Sequence, residues 1–293
     1  MKLAHLSDLH FYSFPSWRGI WSKRLVGLTN LYIRGRIRHF SMDIAKLAIR
    51  AIIEDKPDGV VISGDLTALG SPAEFELARR ALDPLIVRFP TVIVPGNHDY
   101  YTRGAANSHR IEEYFGDVIR TPGSTETDPT YPTLHLIGET VLMGMNPSCF
   151  TIGASGRIDP QEVERLEKLL KAPRVADRFK VLIIHYPLFN RGGKVTPLFW
   201  RRLRNRKKLI AVLSRYPVDL VVHGHDHYRY ANTMIADNGQ AVYLANAGSA
   251  GYVRGSVKAS YNLYEIEGKK LTRVTHKNFG TSGFEITYQG PPV

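Results

Sequence analysis

The sequence has a single cysteine and no long apolar run, and two of its segments have no acidic residue. With only Cys149 among 293 residues, no disulfide can form within the chain, and a cytoplasmic location is expected. No run of about 18 apolar residues is present, so no membrane-spanning segment is predicted. The first residues lack the pattern of a secretory signal peptide. We expect Cys149 to be a small core residue rather than a nucleophile.

The acid-free segments are residues 11–42 and 191–218, and both are rich in arginine and lysine. They contribute to a formal net charge of +12. A strongly basic surface favours polyanionic partners, which include nucleic acid, anionic lipid and phosphorylated substrates.

Residues 11–41 form a predicted insertion, in which apolar residues from Trp17 to Tyr32 recur at three- and four-residue steps. A basic helix with such a stripe is typical of segments that lie on membrane surfaces. Residues 14–39 are therefore expected to bind the inner face of a membrane or the acyl chains of a substrate, or else to pack on their own domain as a lid. The basic segment at about 190–208 is expected to wall the same cleft.

Five apolar stretches of strand length each end in residues that bind metals or move protons. The residues that follow these stretches are Asp8 and His10, Asp65, Asn97 to Asp99, His185, and His225 with His227. Open α/β sheets place ligands at the carboxyl ends of their strands. The pattern therefore predicts one site at that edge of a sheet.

Helical patterns alternate with the first strands, which predicts parallel pairing with right-handed crossovers. The predicted helices cover about 42–56, 71–88, 108–115, 159–171 and 208–215. Alternating stretches at 241–246, 260–266 and 271–278 predict an antiparallel continuation. We expect a single domain over 1–293, an α/β fold of two packed sheets flanked by helices.

Carboxylates, imidazoles and a carboxamide together suit borderline-hard ions such as Mn²⁺, Fe²⁺/Fe³⁺ or Zn²⁺. Seven ligands are too many for one ion and suit two ions that share a bridge. Each residue alone is weak evidence, because a lone histidine is usually structural and an aspartate after a strand is often a helix cap. His5 and His223 stand inside apolar strands, and we expect them to be structural.

The blocks Asp-x-His, Gly-Asp, Gly-Asn-His-Asp, His and Gly-His-x-His follow in this order from Asp8 to His227. This order resembles the signature of the calcineurin-like metallophosphoesterase family. The resemblance implies a four-layer α/β/β/α sandwich with two divalent ions, of which Mn²⁺ is the first expectation and Fe or Zn the alternatives. It implies these ligands: Asp8, His10 and His227 for the first ion, Asn97, His185 and His225 for the second, and Asp65 as the bridge. It also implies that His98 is an outer acid and that Asp99 orients it.

One departure from the family pattern is Tyr186, since a second histidine often follows the first in the fourth block. The pattern from Trp17 to Arg38, including the stretch 22–27, also resembles a branch of the UDP-2,3-diacylglucosamine pyrophosphatases of lipid A synthesis. That branch is the dimetal one, which retains the histidine of the Gly-Asn-His-Asp block. That resemblance implies hydrolysis to UMP and 2,3-diacylglucosamine 1-phosphate. A cyclic-nucleotide or general phosphodiesterase is the alternative. A nuclease or nucleic-acid binding protein is a remote one, because no nucleic-acid recognition motif is present.

Overall fold

The β-structure consists of twelve strands in the part of the chain that the computed structural model describes, residues 1–13, 39–125, 130–151 and 153–292. In chain order they are β1 (Lys2–Leu6), β2 (Gly59–Ile62), β3 (Thr91–Ile93), β4 (Thr133–Ile137), β5 (Thr140–Gly144), β6 (Phe179–Ile183), β7 (Leu220–His223), β8 (Arg229–Ile235), β9 (Ala241–Ala247), β10 (Ser260–Glu267), β11 (Lys270–Phe279) and β12 (Phe284–Gly290).

These strands form two mixed sheets of six strands each. The first has the order β12-β11-β10-β1-β2-β3, in which β1, β2 and β3 are parallel and the other pairs are antiparallel. The second has the order β4-β5-β6-β7-β9-β8, in which β5, β6, β7 and β9 run parallel and the two outer pairs are antiparallel. The predicted motif residues follow five of the parallel strands, which are β1, β2 and β3 in the first sheet and β6 and β7 in the second.

The described helices are α1 (Met42–Asp55), α2 (Pro72–Ile86), α3 (Arg103–Asn107), α4 (Arg110–Ile119), α5 (Pro160–Lys171), α6 (Pro173–Ala176) and α7 (Arg206–Arg215), together with a 3₁₀ turn at Phe199–Arg201. Their starts follow local chemistry. Ser71 and Glu74 form a capping box at the start of α2, and the side chain of Asp159 caps α5.

Three apolar clusters give the fold its four layers. The first joins α1, α2 and α4 to the outer face of the first sheet, and the second joins α5 and α7 to the outer face of the second. The third lies between the sheets, where Leu3, Val61 and Val92 face Val181 and Val222. Because every sheet face needs an apolar partner, the order helix, sheet, sheet, helix buries all four faces. The predicted α/β/β/α sandwich is confirmed.

Some sequence predictions differ from the structure. The predicted antiparallel continuation holds for β10 and β11, but β9 lies in the other sheet and pairs parallel with β7. Strands β8 and β12 were not predicted, and the helix expected at 108–115 begins later, at Arg110, and runs to Ile119. Cys149 was expected in the core but is only half-buried, in the loop after β5; burial raises the pKa of its thiol, which disfavours a reactive thiolate. Among the described residues, no helix is long and apolar enough to cross a bilayer. The expectations for 14–38 fall outside the described residues and stay predictions.

Candidate metal centre

The loops that follow β1, β2, β3, β6 and β7 converge at one edge of the sandwich. Backbone hydrogen bonds join them: the amides of Asp8 and His10 donate to the carbonyls of Gly64 and Asp65, both at 3.0 Å. The amide of His225 donates to Asp8 Oδ2 at 3.0 Å. The strand ends that are far apart in the sequence therefore form one connected site.

Two groups of side chains there could each hold a metal ion. The first contains Asp8, His10, Asp65 and His227, and the second contains Asp65, His185 and His225. Within each group the possible ligand atoms lie within 4.8 Å of one another, and all of these residues are buried. Asp65 belongs to both groups, which is the position of a residue that bridges two ions.

Short contacts join the side chains of the first group. His227 Nε2 lies 3.2 Å from Asp8 Oδ1 and 3.0 Å from His10 Nε2. His10 Nε2 also lies 3.8 Å from Asp65 Oδ2. Asp8 Oδ1 has no hydrogen-bond partner among the described residues although it is buried. A buried carboxylate oxygen that only imidazole nitrogens approach, outside hydrogen-bond geometry, is costly, and a cation is the partner that this arrangement fits.

The predicted amide ligand, Asn97, lies beside the second group. Asn97 Oδ1 lies 2.8 Å from His225 Nδ1 and 3.2 Å from His185 Nε2. His185 Nε2 is 3.4 Å from Asp65 Oδ2. The other nitrogen of each imidazole faces a carbonyl, since His185 Nδ1 donates to Ser63 at 2.7 Å and His225 Nε2 donates to Arg201 at 2.9 Å. These hydrogen bonds leave one lone pair of each ring directed at the centre of the group, as in metal sites.

The backbone of the centre is strained where the side chains must converge. Among the described residues, seven other than glycine have a positive φ, and five of these belong to the two groups: Asp8, His10, Asp65, His225 and His227. Their φ angles lie between 50° and 73°. This left-handed conformation is unfavourable for side chains with a Cβ and clusters at functional sites. A Cβ at Gly96 would also collide with Asp65, so that position requires glycine.

The ionisable groups shift one another's pKa. Burial alone would raise the pKa of Asp65, but His185 and His98 lower it below its usual value. Burial alone would lower the pKa of His185, yet the carboxylate of Asp65 raises it to about 9. Burial, followed by the charges of His185 and Arg201, lowers the pKa of His225. The buried carboxylates of the centre therefore favour a cation between the side chains, and protons and metal ions compete for that position.

His98 lies at the rim of the first group. Its amide donates to Asp65 Oδ1 at 2.7 Å, and its ring lies edge-on to His10 with centroids 4.7 Å apart. His98 Nδ1 is 2.6 Å from the carbonyl of Ala68, which can only accept, so this nitrogen carries a proton. His98 also lines the cleft that opens over the centre. This position suits a group that delivers a proton to a substrate.

The predicted contact between Asp99 and His98 is corrected by the structure. Asp99 Oδ1 accepts from Thr67, Oδ2 accepts from the amide of Gly96, and the His98 ring is oriented by Ala68 instead. The carboxylate of Asp99 points inward from the loop, and Asp99 is fully buried. Asp99 is thus a positioning residue for the loop.

His5 and His223 are structural, as predicted. His5 bridges Ser63 Oγ at 2.9 Å and the hydroxyl of Tyr264 at 3.2 Å, while His223 Nδ1 contacts the amide of Asn246 at 3.1 Å. Burial lowers the pKa of each to about 3. Both rings are therefore neutral at physiological pH and belong to neither group.

A cleft of about 710 Å³ opens over the centre. Trp200 and Arg201 line one wall and Tyr252 and Arg254 line the other, so the segment at about 190–208 does wall the cleft at its 3₁₀ turn. Sequence reasoning missed Tyr252, which lies against His227 with centroids 5.1 Å apart. No motif marks it, because tertiary contacts place it there: a bridge to Phe40 and a hydrogen bond from its amide to Ser249 Oγ.

Comparisons with known proteins agree with this geometry. A family model described as calcineurin-like phosphoesterase matches residues 1–229. Glycerophosphodiester phosphodiesterase GpdQ of Enterobacter lignolyticus is 25% identical over 229 residues, which make up 78% of this chain and 71% of that protein.

Solved structures show the same fold. A dimetal phosphatase from Danio rerio aligns over 100% of this chain and 99% of its own, with a TM-score of 0.58 and 13% identity. Purple acid phosphatase PPD1 from yellow lupin aligns over 99% of this chain and 53% of its own, with a TM-score of 0.62 and 11% identity. The chain belongs to the calcineurin-like phosphoesterase family, and it is a metal-dependent phosphoester hydrolase with side chains suited to two divalent ions.

Proposed function

We propose that the protein hydrolyses phosphodiesters with two divalent ions held on either side of Asp65. The observation that carries this proposal is that Asp65 alone belongs to both groups of potential ligands. Paired ions about 3.5–4 Å apart clamp the entering and leaving oxygens of a phosphoryl displacement and lower the pKa of water.

The contacts support the predicted ligand assignment. The first ion would be held by Asp8, His10 and His227, and the second by Asn97, His185 and His225, with Asp65 shared between them. Asn97 is a neutral ligand, which limits the negative charge of the centre and favours an anionic substrate. All donors are oxygen or nitrogen, which suits Mn²⁺, Fe or Zn²⁺, and we propose Mn²⁺.

His98 and Asp99 complete the proposed machinery. The proton on His98 Nδ1 is engaged by the Ala68 carbonyl, so the atom that faces substrate is His98 Nε2. In the imidazolium form Nε2 also carries a proton, which it can donate to the phosphate or transfer to the leaving oxygen. Asp99 holds the loop that carries His98 to the loop that carries Asp65, through Thr67. The two residues therefore act through proton transfer and through positioning, respectively.

The substrate class that has most support is a phosphodiester with a polar leaving group, because the relative GpdQ is a glycerophosphodiester phosphodiesterase. Cyclic nucleotides and other diesters belong to the same proposal.

A second candidate is UDP-2,3-diacylglucosamine, cleaved to UMP and 2,3-diacylglucosamine 1-phosphate in lipid A synthesis. The observation that favours it is the rim of the cleft, where Trp200 and Tyr252 offer apolar surface and Arg201 and Arg254 offer positive charge. The insertion that motivated this candidate lies outside the described residues.

A panel of substrates with Mn²⁺ tests the proposal. It contains a glycerophosphodiester, UDP-2,3-diacylglucosamine, cyclic AMP, bis(p-nitrophenyl) phosphate and single-stranded DNA, with Asp65→Ala as the blank. We expect hydrolysis of the diesters that disappears in the blank. Activity confined to UDP-2,3-diacylglucosamine would establish the second candidate. Activity that survives in Asp65→Ala would refute the two-ion centre.

A further inference from the structure

Four bulky apolar side chains lie exposed within one short segment. They are Val195, Leu198, Phe199 and Trp200, and Phe199 is 62% and Trp200 46% exposed. The other exposed large apolar residues in the described chain are dispersed over separate elements, such as Ile235 in β8 and Ile286 in β12. Single exposed residues are ordinary, whereas several in one short segment, with the rings of Phe199 and Trp200 in contact at 4.9 Å between centroids, indicate an interaction surface. We call these four residues, with Arg202 and Lys207, the cap face.

The cap face does not owe its exposure to a loose loop. The carbonyl of Trp200 accepts from the amide of Ala154 at 2.8 Å, and the carbonyl of Arg202 accepts from Gly156 at 3.2 Å. Leu203, in the same segment, is buried. The carbonyl of Arg201 also accepts from the metal-centre residue His225. A backbone held at these points presents Phe199 and Trp200 outward as a fixed feature.

Positive charge surrounds this apolar patch. No acidic residue occurs from 191 to 218, and Arg191, Lys194, Arg202, Arg204, Lys207 and Lys208 are all exposed. Burial, and then the charge of Arg202, lowers the pKa of Arg206 nearby. These basic side chains repel one another in the free protein, and they would attract an anionic partner.

An anionic bilayer fits this combination better than a nucleic acid does. Aromatic rings and cations would serve either partner, but Val195 and Leu198 offer no face on which a base can stack. Tryptophan and aliphatic side chains settle at the level of lipid headgroups, and each basic residue adds about fivefold to partition onto an anionic leaflet.

We propose that the cap face docks on an anionic lipid surface and places the mouth of the cleft against it. Trp200 belongs to the cap face and also lines the cleft, so docking directs the metal centre toward the bilayer. The substrate class this implies is a phosphodiester whose leaving or remaining group is a lipid. That last step rests on the proposed function, whereas docking itself does not.

Trp200 can report docking directly. The chain has three tryptophans, so the double variant Trp17→Phe, Trp21→Phe leaves Trp200 as the only one. This protein is mixed with two kinds of vesicle, phosphatidylcholine alone and phosphatidylcholine with phosphatidylglycerol, and both contain brominated lipid as the quencher. With the anionic vesicles only, we expect Trp200 fluorescence to shift to the blue and to be quenched. Both effects should be smaller at high salt.

Matched variants separate the cap face from general surface effects. In vesicle sedimentation, Leu198→Ser with Phe199→Ser should lower binding about tenfold or more. Ile235→Ser with Ile286→Ser removes exposed apolar surface elsewhere and should not. Arg202→Gln with Lys207→Gln should lower binding about 25-fold, but Arg80→Gln with Lys270→Gln, with the same net charge, should lower it far less.

The proposal is overturned if the protein ignores anionic vesicles at low salt, if Trp200 is not quenched, or if cap-face and control variants behave alike. A labelled single-stranded oligonucleotide that binds through the cap face, without any binding of vesicles, would also overturn it. Hydrolysis of soluble bis(p-nitrophenyl) phosphate is measured for each variant. An active enzyme that ignores vesicles refutes docking alone, and a vesicle-bound protein without hydrolysis refutes the proposed function alone.

Discussion

Asp99 accepts hydrogen bonds from both the backbone amide and the hydroxyl of Thr67, at 3.1 and 3.0 Å. Its other oxygen accepts from the amide of Gly96 at 2.9 Å. One buried carboxylate thereby fixes the loop after β3 to the loop after β2. Burial, and then the charge of Asp65, raises the pKa of Asp99 to about 7, so these three donors offset an unfavourable environment.

Asp99→Asn should disturb the centre without removing a metal ligand. An amide can accept only at its oxygen, so at least one of the donors at Thr67 and Gly96 loses its partner. We expect a loss of about 1–3 kcal/mol in the free energy of unfolding and a 10–100-fold loss of kcat/KM. Thermal melts and kinetics measure both. Asp43→Asn, at an exposed position in the first turn of α1, is the control and should change neither.

Asp65→Asn should lower the content of both ions, because Asp65 is common to both groups. His10→Ala and His185→Ala each remove a ligand of one group, and each should lower the content of one ion. Elemental analysis of purified protein gives the ratio directly. Two ions retained in Asp65→Asn would contradict the shared-ligand geometry.

His98→Gln should keep both ions and lower kcat by about 10²–10⁴-fold, the usual range for an acid–base group. The loss should be largest for a substrate with a poor leaving group, since p-nitrophenolate leaves without a proton. His109→Gln changes an exposed histidine and serves as the reference. Equal losses on good and poor leaving groups would argue against proton transfer.

Tyr186→Phe should be neutral or stabilising by up to about 2 kcal/mol. The Tyr186 hydroxyl is buried and has no hydrogen-bond partner among the described residues, while its ring lies 4.6 Å from that of His225. The variant keeps the ring contact, so metal content should not change. Tyr264→Phe is the matched case: its hydroxyl contacts His5 and Asn262, and its loss should destabilise the protein by about 1–2 kcal/mol in urea unfolding.

Glu162→Gln should remove a pH dependence of stability. Burial raises the pKa of Glu162 from 4.5 to about 7. Because the folded pKa lies above the unfolded value, the stabilisation from protonated Glu162 is complete below pH 4.5 and is lost as the pH rises through about 7.

Gln keeps the acceptor that Glu162 offers to the amide of Asn146 at 2.7 Å. The variant should therefore match the parent near about pH 5 and exceed it by about 1–3 kcal/mol near about pH 8. Urea unfolding across that range measures the difference. Glu164→Gln changes an exposed residue on the same helix and should follow the parent at every pH.

The strands and their terminal motifs could be predicted because they depend on local pattern. Apolar stretches of strand length, each followed by residues such as Asp8 or His185, indicate where the sheet edge must be, and the structure places them there. The helix predicted from about 71 begins as expected, because its start also depends on local chemistry, the capping box of Ser71 and Glu74.

Contacts that depend on tertiary packing could not be predicted. The carbonyls of Ala68 and Arg201 orient His98 and His225, and every residue has such a carbonyl, so no sequence signal marks these two. Strand β12 was missed although Phe284, Ile286 and Tyr288 alternate with polar residues; it lies at the edge of its sheet, where Ile286 is exposed rather than buried.

Each candidate ion position takes side chains from both halves of the sandwich. Asp65 follows a strand of one sheet, whereas His185 and His227 follow strands of the other. Bound ions would therefore fasten the two sheets to each other at their rim, beyond the apolar contacts that join their inner faces. Chelators should then weaken the cohesion of the entire sandwich, and metal supply would govern how long the folded protein survives as well as its turnover.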